Sequence, residues 1–249
     1  MRRLDELIAA LTLLTRLPVA GVVGHRVWPE EAASVWAYPI VGALVGGIGG
    51  AVLWVSERLG TPPGVAAIVA VAVMLLLTGG LHEDGLADTA DAFGGGGTVG
   101  RKLDIMRDSR IGSYGALAVT VAVSLRGAAL ASLHPGTGVA ALVAAGGLGR
   151  GAIIVVLVRL RPARADGSAA LLRDVGRDVA VVGLCLAGAA SSLLPMGAAL
   201  ACIAGAALAG FGMASLARRQ IGGYTGDVLG AAAVFAECVA LAVAASVCS

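Results

Sequence analysis

The chain has 249 residues, of which 58% are hydrophobic and only 14% are charged, and its formal net charge is +2. Soluble domains carry about 25% charged residues, so this composition excludes an ordinary soluble domain and predicts an integral membrane protein. A charge so close to zero gives no reason to expect a nucleic-acid partner.

The chain begins with a segment, Leu4–Leu14, that is apolar on one side and is predicted to form an amphipathic helix at the membrane surface. Seven apolar segments follow, each close to the ~20 residues that cross a bilayer. These segments are 35–55, 63–81, 114–133, 138–158, 179–194, 197–216 and 228–248. The sequence therefore predicts an all-α fold: a polytopic integral membrane helical bundle of about seven transmembrane helices, in one domain over residues 1–249.

Lysine and arginine residues are distributed unevenly among the connections. The N-terminal segment, which includes Arg26, and every second connection together carry fifteen of them, whereas the other side carries only Arg58. Because such residues concentrate on the cytoplasmic side, we predict a cytoplasmic N-terminus and an active site on the cytoplasmic side of a bacterial inner membrane.

The densest charge lies in the acidic segment, residues 79–112, which separates the second and third apolar segments. Its carboxylates are Glu83, Asp84, Asp88, Asp91, Asp104 and Asp108. On a helix the first three aspartates share one face, and Arg101 begins a second such face with Asp104 and Asp108. Four glycines, 94–97, form a flexible break that lets the second part fold back on the first.

Like charges four residues apart repel one another, so this pattern favours a divalent cation as a partner. Mg²⁺ prefers oxygen ligands and acts beside substrate phosphates, so the six carboxylates are predicted Mg²⁺ ligands. The alternative is a solvated acidic loop without a metal.

A second motif, RRQIGGYTGDVLGA at 218–231, comes before the last apolar segment. A glycine turn ahead of a helix is a ready anion site, and Thr225 adds a hydroxyl group. Asp227 is a candidate catalytic residue beside the acidic segment, or else a helix N-cap.

Charged residues inside apolar segments are costly and are functional candidates by default: here they are Arg126, Arg150 and Glu237. Arg150 is a candidate for contact with a substrate phosphate, and Glu237 is a candidate partner for one of the arginines. The alternative is an internal ion pair that fixes helix packing. His82 adjoins the acids and is a candidate base, or else a structural residue.

Metal-bound diphosphate chemistry needs carboxylates, arginines and positioning rather than a covalent catalyst. The residues therefore indicate a membrane-embedded, Mg²⁺-dependent transferase that acts on a diphosphate-activated substrate.

The motifs GGLHEDGLADTADA at 79–92 and LDIMRDSRIGSYG at 103–115 resemble the signature of the cobalamin synthase family. The likeness extends to TRLP at 15–18, to YPIVG at 38–42, to Arg150 and to GGYTGDVLGA at 222–231. The resemblance implies an adenosylcobinamide-GDP ribazoletransferase, which joins adenosylcobinamide-GDP to α-ribazole or its 5'-phosphate and releases GMP with the help of Mg²⁺.

The resemblance also implies roles for individual residues. The acidic positions are expected to bind the metal. Our own hypothesis for the mechanism is that Asp91 or Asp108 accepts the proton of the ribazole hydroxyl group. Substrate binding falls to Arg16, Arg101, Arg107, Arg110, Arg150 and Thr225. Besides its substrates the protein is expected to contact the lipid bilayer, and a homo-oligomer is one option.

Three other functions remain open. A CDP-alcohol phosphotransferase also uses acidic helices and Mg²⁺, but its motif departs from this one at Leu81 and at 87–88. A prenyltransferase would place its acids on two separated spans. A cation transporter would place them in mid-membrane at broken helices.

Overall fold

The computed structural model describes residues 2–19 and 30–248, so Arg26 lies outside the described part. The described part is built of α-helices joined by short connections. They are α1 Arg2–Leu14, α2 Glu31–Ser34, α3 Tyr38–Arg58, α4 Pro63–Thr78, α5 Leu81–Gly95, α6 Val99–Ile105, α7 Ser113–Ala131, α8 Pro135–Arg159, α9 Arg177–Ala189, α10 Met196–Ile221 and α11 Gly226–Cys248. The predicted all-α membrane bundle is confirmed.

Five of the seven predicted spans coincide with helices that are long and apolar enough to cross a membrane: α3 with its preceding turns, α7, α8, α10 and α11. Helices α4 and α5 pass the same test only as a bent pair, which makes a sixth candidate. The predicted span at 179–194 corresponds to α9, a helix of only 13 residues, followed by one 3-10 turn at Ala190–Leu193. Within the described residues, the number of candidate spans is therefore five or six rather than seven.

A sharp bend separates α4 from α5. The two helices meet at 91° across Gly79 and Gly80, whose φ angles are +66° and +69°. L-residues rarely adopt this left-handed conformation, so the glycine pair allows the turn. The side chain of Arg16 lies against Gly79, where a Cβ atom would overlap it. The predicted span at 63–81 therefore ends at Thr78, and the acidic segment starts in a new direction.

Helix α8 lies at the centre of the bundle, and glycines allow α3 to approach it closely. A Cβ atom at Gly42 would overlap the carbonyl oxygen of Gly146, and one at Gly46 would overlap that of Leu142. Small residues four apart allow this backbone contact, which replaces the hydrophobic effect as the source of helix association within a bilayer.

Several helix ends meet at one end of the bundle, which we call the basic end. Nη2 of Arg218, near the end of α10, donates to the carbonyl oxygen of Arg159 at the end of α8. The backbone amide of Tyr224 donates to the carbonyl oxygen of Arg161, and that of Ala163 donates back to Tyr224. These bonds place the 218–231 motif against the connection between α8 and α9.

Helix α1 packs beside the start of α3 through a buried carboxylate. Glu6 accepts a hydrogen bond of 2.7 Å from the indole nitrogen of Trp36, and it pairs with Arg2 and Arg3. The predicted helix over Leu4–Leu14 is confirmed, and its C-terminal end leads directly to Arg16 at the glycine bend.

Candidate active site

Helix α5, which carries the first acidic group, packs between α7 and the start of α11. A methyl group on Gly85 would lie 2.8 Å from the carbonyl oxygen of Asp227, and one on Gly230 would lie 3.1 Å from that of His82. These glycines let α5 and α11 touch backbone to backbone. Helix α5, the first part of the acidic segment, is thus packed in the bundle and is not a solvated loop, whereas Asp104 and Arg107 in the second part are exposed.

This packing gathers carboxylates from three parts of the chain around Asp88. Its carboxylate lies within Coulombic range of Asp84, Asp227, Asp91 and Asp108, all of which oppose its negative charge. Within the described residues, the side chains of Asp84 and Asp88 have neither a hydrogen bond nor an ion pair. Uncompensated acids held together by the fold are a feature of functional sites.

A cavity of about 200 Å³ lies beside these acids. Its polar lining residues are His82 and Asp84 of α5, Asp227 of α11, Tyr38 and Glu31. The remaining wall is mostly apolar and comes from α1, α8, α11 and the 3-10 turn Ser168–Leu172. The cavity therefore combines acidic groups with an apolar wall, which is typical of small-molecule sites.

Thr225 fixes the entrance to α11. Its hydroxyl oxygen accepts a 3.3 Å hydrogen bond from the amide of Val228, and its hydroxyl group donates to Oδ2 of Asp227 at 3.1 Å. Thr225 is thus the N-cap of α11, a role that the sequence analysis considered for Asp227. Asp227 is left half-buried with its carboxylate at the cavity.

Asp91 has a different environment from Asp84 and Asp88. Its Oδ2 accepts a 2.7 Å hydrogen bond from the amide of Gly112, and its Oδ1 accepts one of 2.9 Å from the amide of Gly115. Both oxygens therefore stabilise the first turn of α7, where a negative charge is favoured by the helix dipole.

The second acidic group does not form the continuous helical face that the spacing predicted. Helix α6 ends at Ile105, so Asp104 lies on it and Asp108 lies in the connection to α7. Asp108 accepts hydrogen bonds from the side chain of Arg110, at 3.0 Å from Nε, and from its backbone amide. Hydrogen bonds from the side chain and backbone of Arg110 lower the pKa of Asp108 to about 2.

Four buried charges form a cluster beneath α5, which we call the buried quartet: Glu83, Arg126, Arg150 and Glu237. Nη1 of Arg126 lies 2.8 Å from Glu83 and 3.4 Å from Glu237, and Arg150 pairs with the other oxygen of Glu237. The expected pairing of Glu237 with an arginine is confirmed. Glu83, a predicted metal ligand, and Arg150, a predicted substrate contact, therefore both form ion pairs within this cluster.

His82 borders both the quartet and the cavity. Its Nδ1 lies 3.5 Å from Nη2 of Arg150, and because arginine only donates, Nδ1 is the acceptor. The proton then belongs to Nε2, a buried atom that has no hydrogen-bond partner in the described part of the chain. A ligand oxygen in the cavity would give this donor a partner.

Two of the predicted substrate-binding arginines, Arg101 and Arg110, lie within Coulombic range of Asp108, and the others have different local contacts. Arg16 covers the glycine bend, and Arg101 is exposed on α6. Arg107 pairs with Asp166 in the connection after α8.

Sequence reasoning missed Arg164, Tyr38 and Glu31. Nη2 of Arg164 lies 4.0 Å from Oδ2 of Asp227, and its Nη1 is buried and has no hydrogen-bond partner among residues 2–19 and 30–248. The arginine-rich connection after α8 could have suggested a role for Arg164. Only the fold shows which of its arginines lies beside Asp227.

No group of three or more histidine, cysteine or carboxylate side chains in the described ranges 2–19 and 30–248 is arranged closely enough to hold a metal ion. The donors around Asp88 are nevertheless all carboxylates, and those of Asp84 and Asp88 have no other partner. Oxygen donors of this kind suit Mg²⁺, which keeps several water ligands and takes only one or two carboxylates directly.

The fold and this site define a polytopic helical membrane protein with a carboxylate-lined cavity flanked by arginines. Residues 6–245 match the family model described as "CobS: Cobalamin-5-phosphate synthase". The chain belongs to this family.

Three relatives named adenosylcobinamide-GDP ribazoletransferase illustrate the likeness. The protein of Azorhizobium caulinodans is 45% identical over 92% of this chain and 91% of its own length. Those of Bradyrhizobium diazoefficiens and Mesorhizobium japonicum are 46% and 41% identical, each over 97% of this chain and 93% of their own length. No solved structure matches the chain.

Proposed function

We propose that this protein is a Mg²⁺-dependent membrane transferase that joins adenosylcobinamide-GDP to α-ribazole or its 5'-phosphate and releases GMP. The observation that carries the proposal is the family match over 6–245, with relatives named for this transfer. The carboxylates and unpartnered donors beside the cavity supply what such a reaction requires.

Asp84 and Asp88 are the proposed Mg²⁺ ligands, because their carboxylates have no other partner and lie on one face of α5. Glu83 and Asp91, although acidic, are held by Arg126 and by the start of α7. The metal would neutralise the charge of the diphosphate. The proposal therefore includes two metal ligands, whereas the sequence analysis predicted six.

Asp227 is the proposed proton acceptor. It lines the cavity, and the hydroxyl of Thr225 holds its carboxylate in place. Asp91 and Asp108 are less suited to this role, because amide groups and Arg110 already occupy their oxygens.

The transfer exchanges one phosphorus–oxygen bond for another. A ribazole hydroxyl oxygen bonds to the phosphorus that carries the corrinoid, while Asp227 accepts the hydroxyl proton. The bond from that phosphorus to the bridging oxygen breaks, and GMP leaves with that oxygen and the electron pair. The buried Nη1 of Arg164, which has no hydrogen-bond partner within the described residues, and the guanidinium of Arg110 would offset the charge of the departing phosphate.

The proposed location is the bacterial inner membrane, with the site open to the cytoplasm. Fifteen lysine and arginine residues on one side against one on the other support this orientation. The cavity lies at the basic end, so water-soluble nucleotide substrates would reach it from the cytoplasm.

The test measures GMP released from adenosylcobinamide-GDP and α-ribazole by purified protein in detergent. We expect Asp84→Asn and Asp88→Asn each to lower kcat/KM at least ~100-fold, as loss of a metal ligand would. Asp178→Asn, a matched change at an exposed position in the first turn of α9, should leave the rate unchanged. Full GMP release by both site variants would refute the proposed metal site, and release of CMP from a CDP-alcohol instead of GMP would refute the reaction.

A further inference from the structure

A second and larger cavity, of about 800 Å³, opens at the basic end between α8, α9 and α10. We call it the arginine groove, and it shares no lining residue with the cavity beside Asp84. Its lining residues include five arginines: Arg159, Arg161, Arg173, Arg177 and Arg218. Among the described residues, Asp174 is the single acidic residue in its lining, so the groove has a strong positive charge.

Local contacts leave much of that charge available. Arg161 and Arg173 both pair with Asp174, at 3.1 and 3.5 Å, and Arg159 lies over the ring of Phe211 with its guanidinium carbon 5.0 Å from the ring centre. Within the described residues Arg177 has no ion-pair partner. One carboxylate cannot compensate five guanidinium groups, so the groove has an excess of positive charge that a bound anion would offset.

The wall of the groove that continues along the helices is apolar and exposed. Val158 at the end of α8 and Val181 on α9 are each 51% exposed, and Leu184 is 39% exposed one turn further along α9. Val158 belongs to α8, a candidate membrane span, and α9 packs against α8, so these exposed apolar side chains are suited to contact with lipid chains. The groove thus joins a cationic rim to a surface suited to hydrocarbon.

Short helix α9 creates this shape. A methyl group on Gly151 would lie 2.8 Å from Cβ of Ala187, and one on Gly147 would lie 2.5 Å from Cβ of Ala190, so α9 ends beside the middle of α8. The connection at 160–176 carries arginines across the open side of this short helix. Basic pockets between helices on the cytoplasmic side bind acidic lipid head groups.

We propose that the arginine groove binds one anionic phospholipid, with its phosphate among Arg173, Arg177 and Arg218 and its acyl chains along Val158, Val181 and Leu184. The inference does not depend on the proposed reaction, because it uses neither the cavity nor the carboxylates of α5. A soluble phosphate compound would use the rim without the apolar wall, which is why the lipid is the occupant that fits both parts.

The test is native mass spectrometry of detergent-purified protein titrated with phosphatidylglycerol or phosphatidylcholine. We expect the wild-type protein to retain phosphatidylglycerol at roughly tenfold lower concentration than phosphatidylcholine. Both lipids carry a phosphate, but the arginines repel the choline ammonium group of phosphatidylcholine, whereas phosphatidylglycerol has a net negative charge. The double variant Arg173→Gln/Arg177→Gln should lose this preference. The control Arg2→Gln/Arg58→Gln, which removes two exposed arginines elsewhere, should keep it.

Three outcomes would overturn the proposal: no preference in the wild-type protein, an unchanged preference in the groove variant, or displacement of the lipid by GMP. The last would show that the groove serves the nucleotide. Circular dichroism of the groove variant establishes that it is folded. Because GMP release by the groove variant is measured separately, a failure of the lipid proposal is distinguishable from a failure of the proposed reaction.

Discussion

The carboxylate of Asp91 caps α7 in trans, with its Oδ1 2.9 Å from the amide nitrogen of Gly115. Oδ2 of the same carboxylate accepts a hydrogen bond of 2.7 Å from the backbone amide of Gly112. A residue at the end of the acidic helix therefore holds the first turn of the next long helix. This bond fixes the end of the connection that contains Asp108 and Arg110.

We predict that Asp91→Ala lowers the free energy of unfolding by about 1–2 kcal/mol, the cost of losing a helix cap. Thermal unfolding in detergent measures it, and Asp84→Ala, at an exposed position, provides the comparison with no expected loss. An inactive Asp91→Ala protein of unchanged stability would instead show that Asp91 acts on the substrate.

Gly85 is predicted to be essential for the geometry of the site. In Gly85→Ala the new methyl group meets the backbone of Asp227, 2.8 Å from its carbonyl oxygen, and pushes α5 away from α11. We expect GMP release to fall at least ~100-fold, as misplacement by about 1 Å causes in other enzymes. Gly100→Ala on α6, where a Cβ atom has open space, should remain fully active.

The buried quartet predicts a large stability effect. Glu237→Gln leaves Arg126 and Arg150 without their shared carboxylate, and breaking a buried ion pair costs about 3 kcal/mol or more. The melting temperature in detergent is the measurement, and Glu30→Gln, at an exposed position, is the matched control. Equal melting temperatures for the two variants would contradict the structural role of the quartet.

The Asp108–Arg110 pair predicts a pH dependence. Because hydrogen bonds from Arg110 lower the pKa of Asp108 to about 2, the pairing is complete above the ordinary aspartate pKa and is lost only as the pH falls through about 2. In Arg110→Met the pKa returns towards about 3.9, and Asp108 still remains ionised at about pH 5 and above.

The acidic limb of the pH–rate profile should therefore be the same in Arg110→Met and in the wild-type protein. The rate itself should fall roughly ten- to a hundredfold, as expected for a lost charged hydrogen bond to the substrate. Arg110→Lys should recover part of the rate. A limb that moves to higher pH in Arg110→Met would show that Asp108 controls it.

Local pattern was sufficient to predict several features. The lengths of the apolar segments predicted the membrane-spanning helices α3, α7, α8, α10 and α11. The spacing of Asp84 and Asp88 predicted that they share one face of a helix. Because an unpaired charge within a bilayer is unfavourable, the sequence also predicted that Glu237 pairs with an arginine.

Contacts between distant parts of the chain were not predictable in the same way. Nothing near Asp91 in the sequence indicates that its partners are the amides of Gly112 and Gly115. The same holds for Glu83, whose partner Arg126 is fixed only once α5 lies between α7 and α11. The apolar run 179–194 reads as a span by composition, and its early end beside α8 depends on tertiary packing.

The buried quartet has a consequence for the order in which the protein is made. Along the chain its charges come as acid, base, base, acid, so a ribosome that has finished α8 has produced one negative and two positive groups for the interior. Only the last helix delivers the second negative charge. An assembly intermediate that lacks α11 carries one uncompensated positive charge in its core, so the bundle becomes electrically neutral there only when synthesis reaches Glu237.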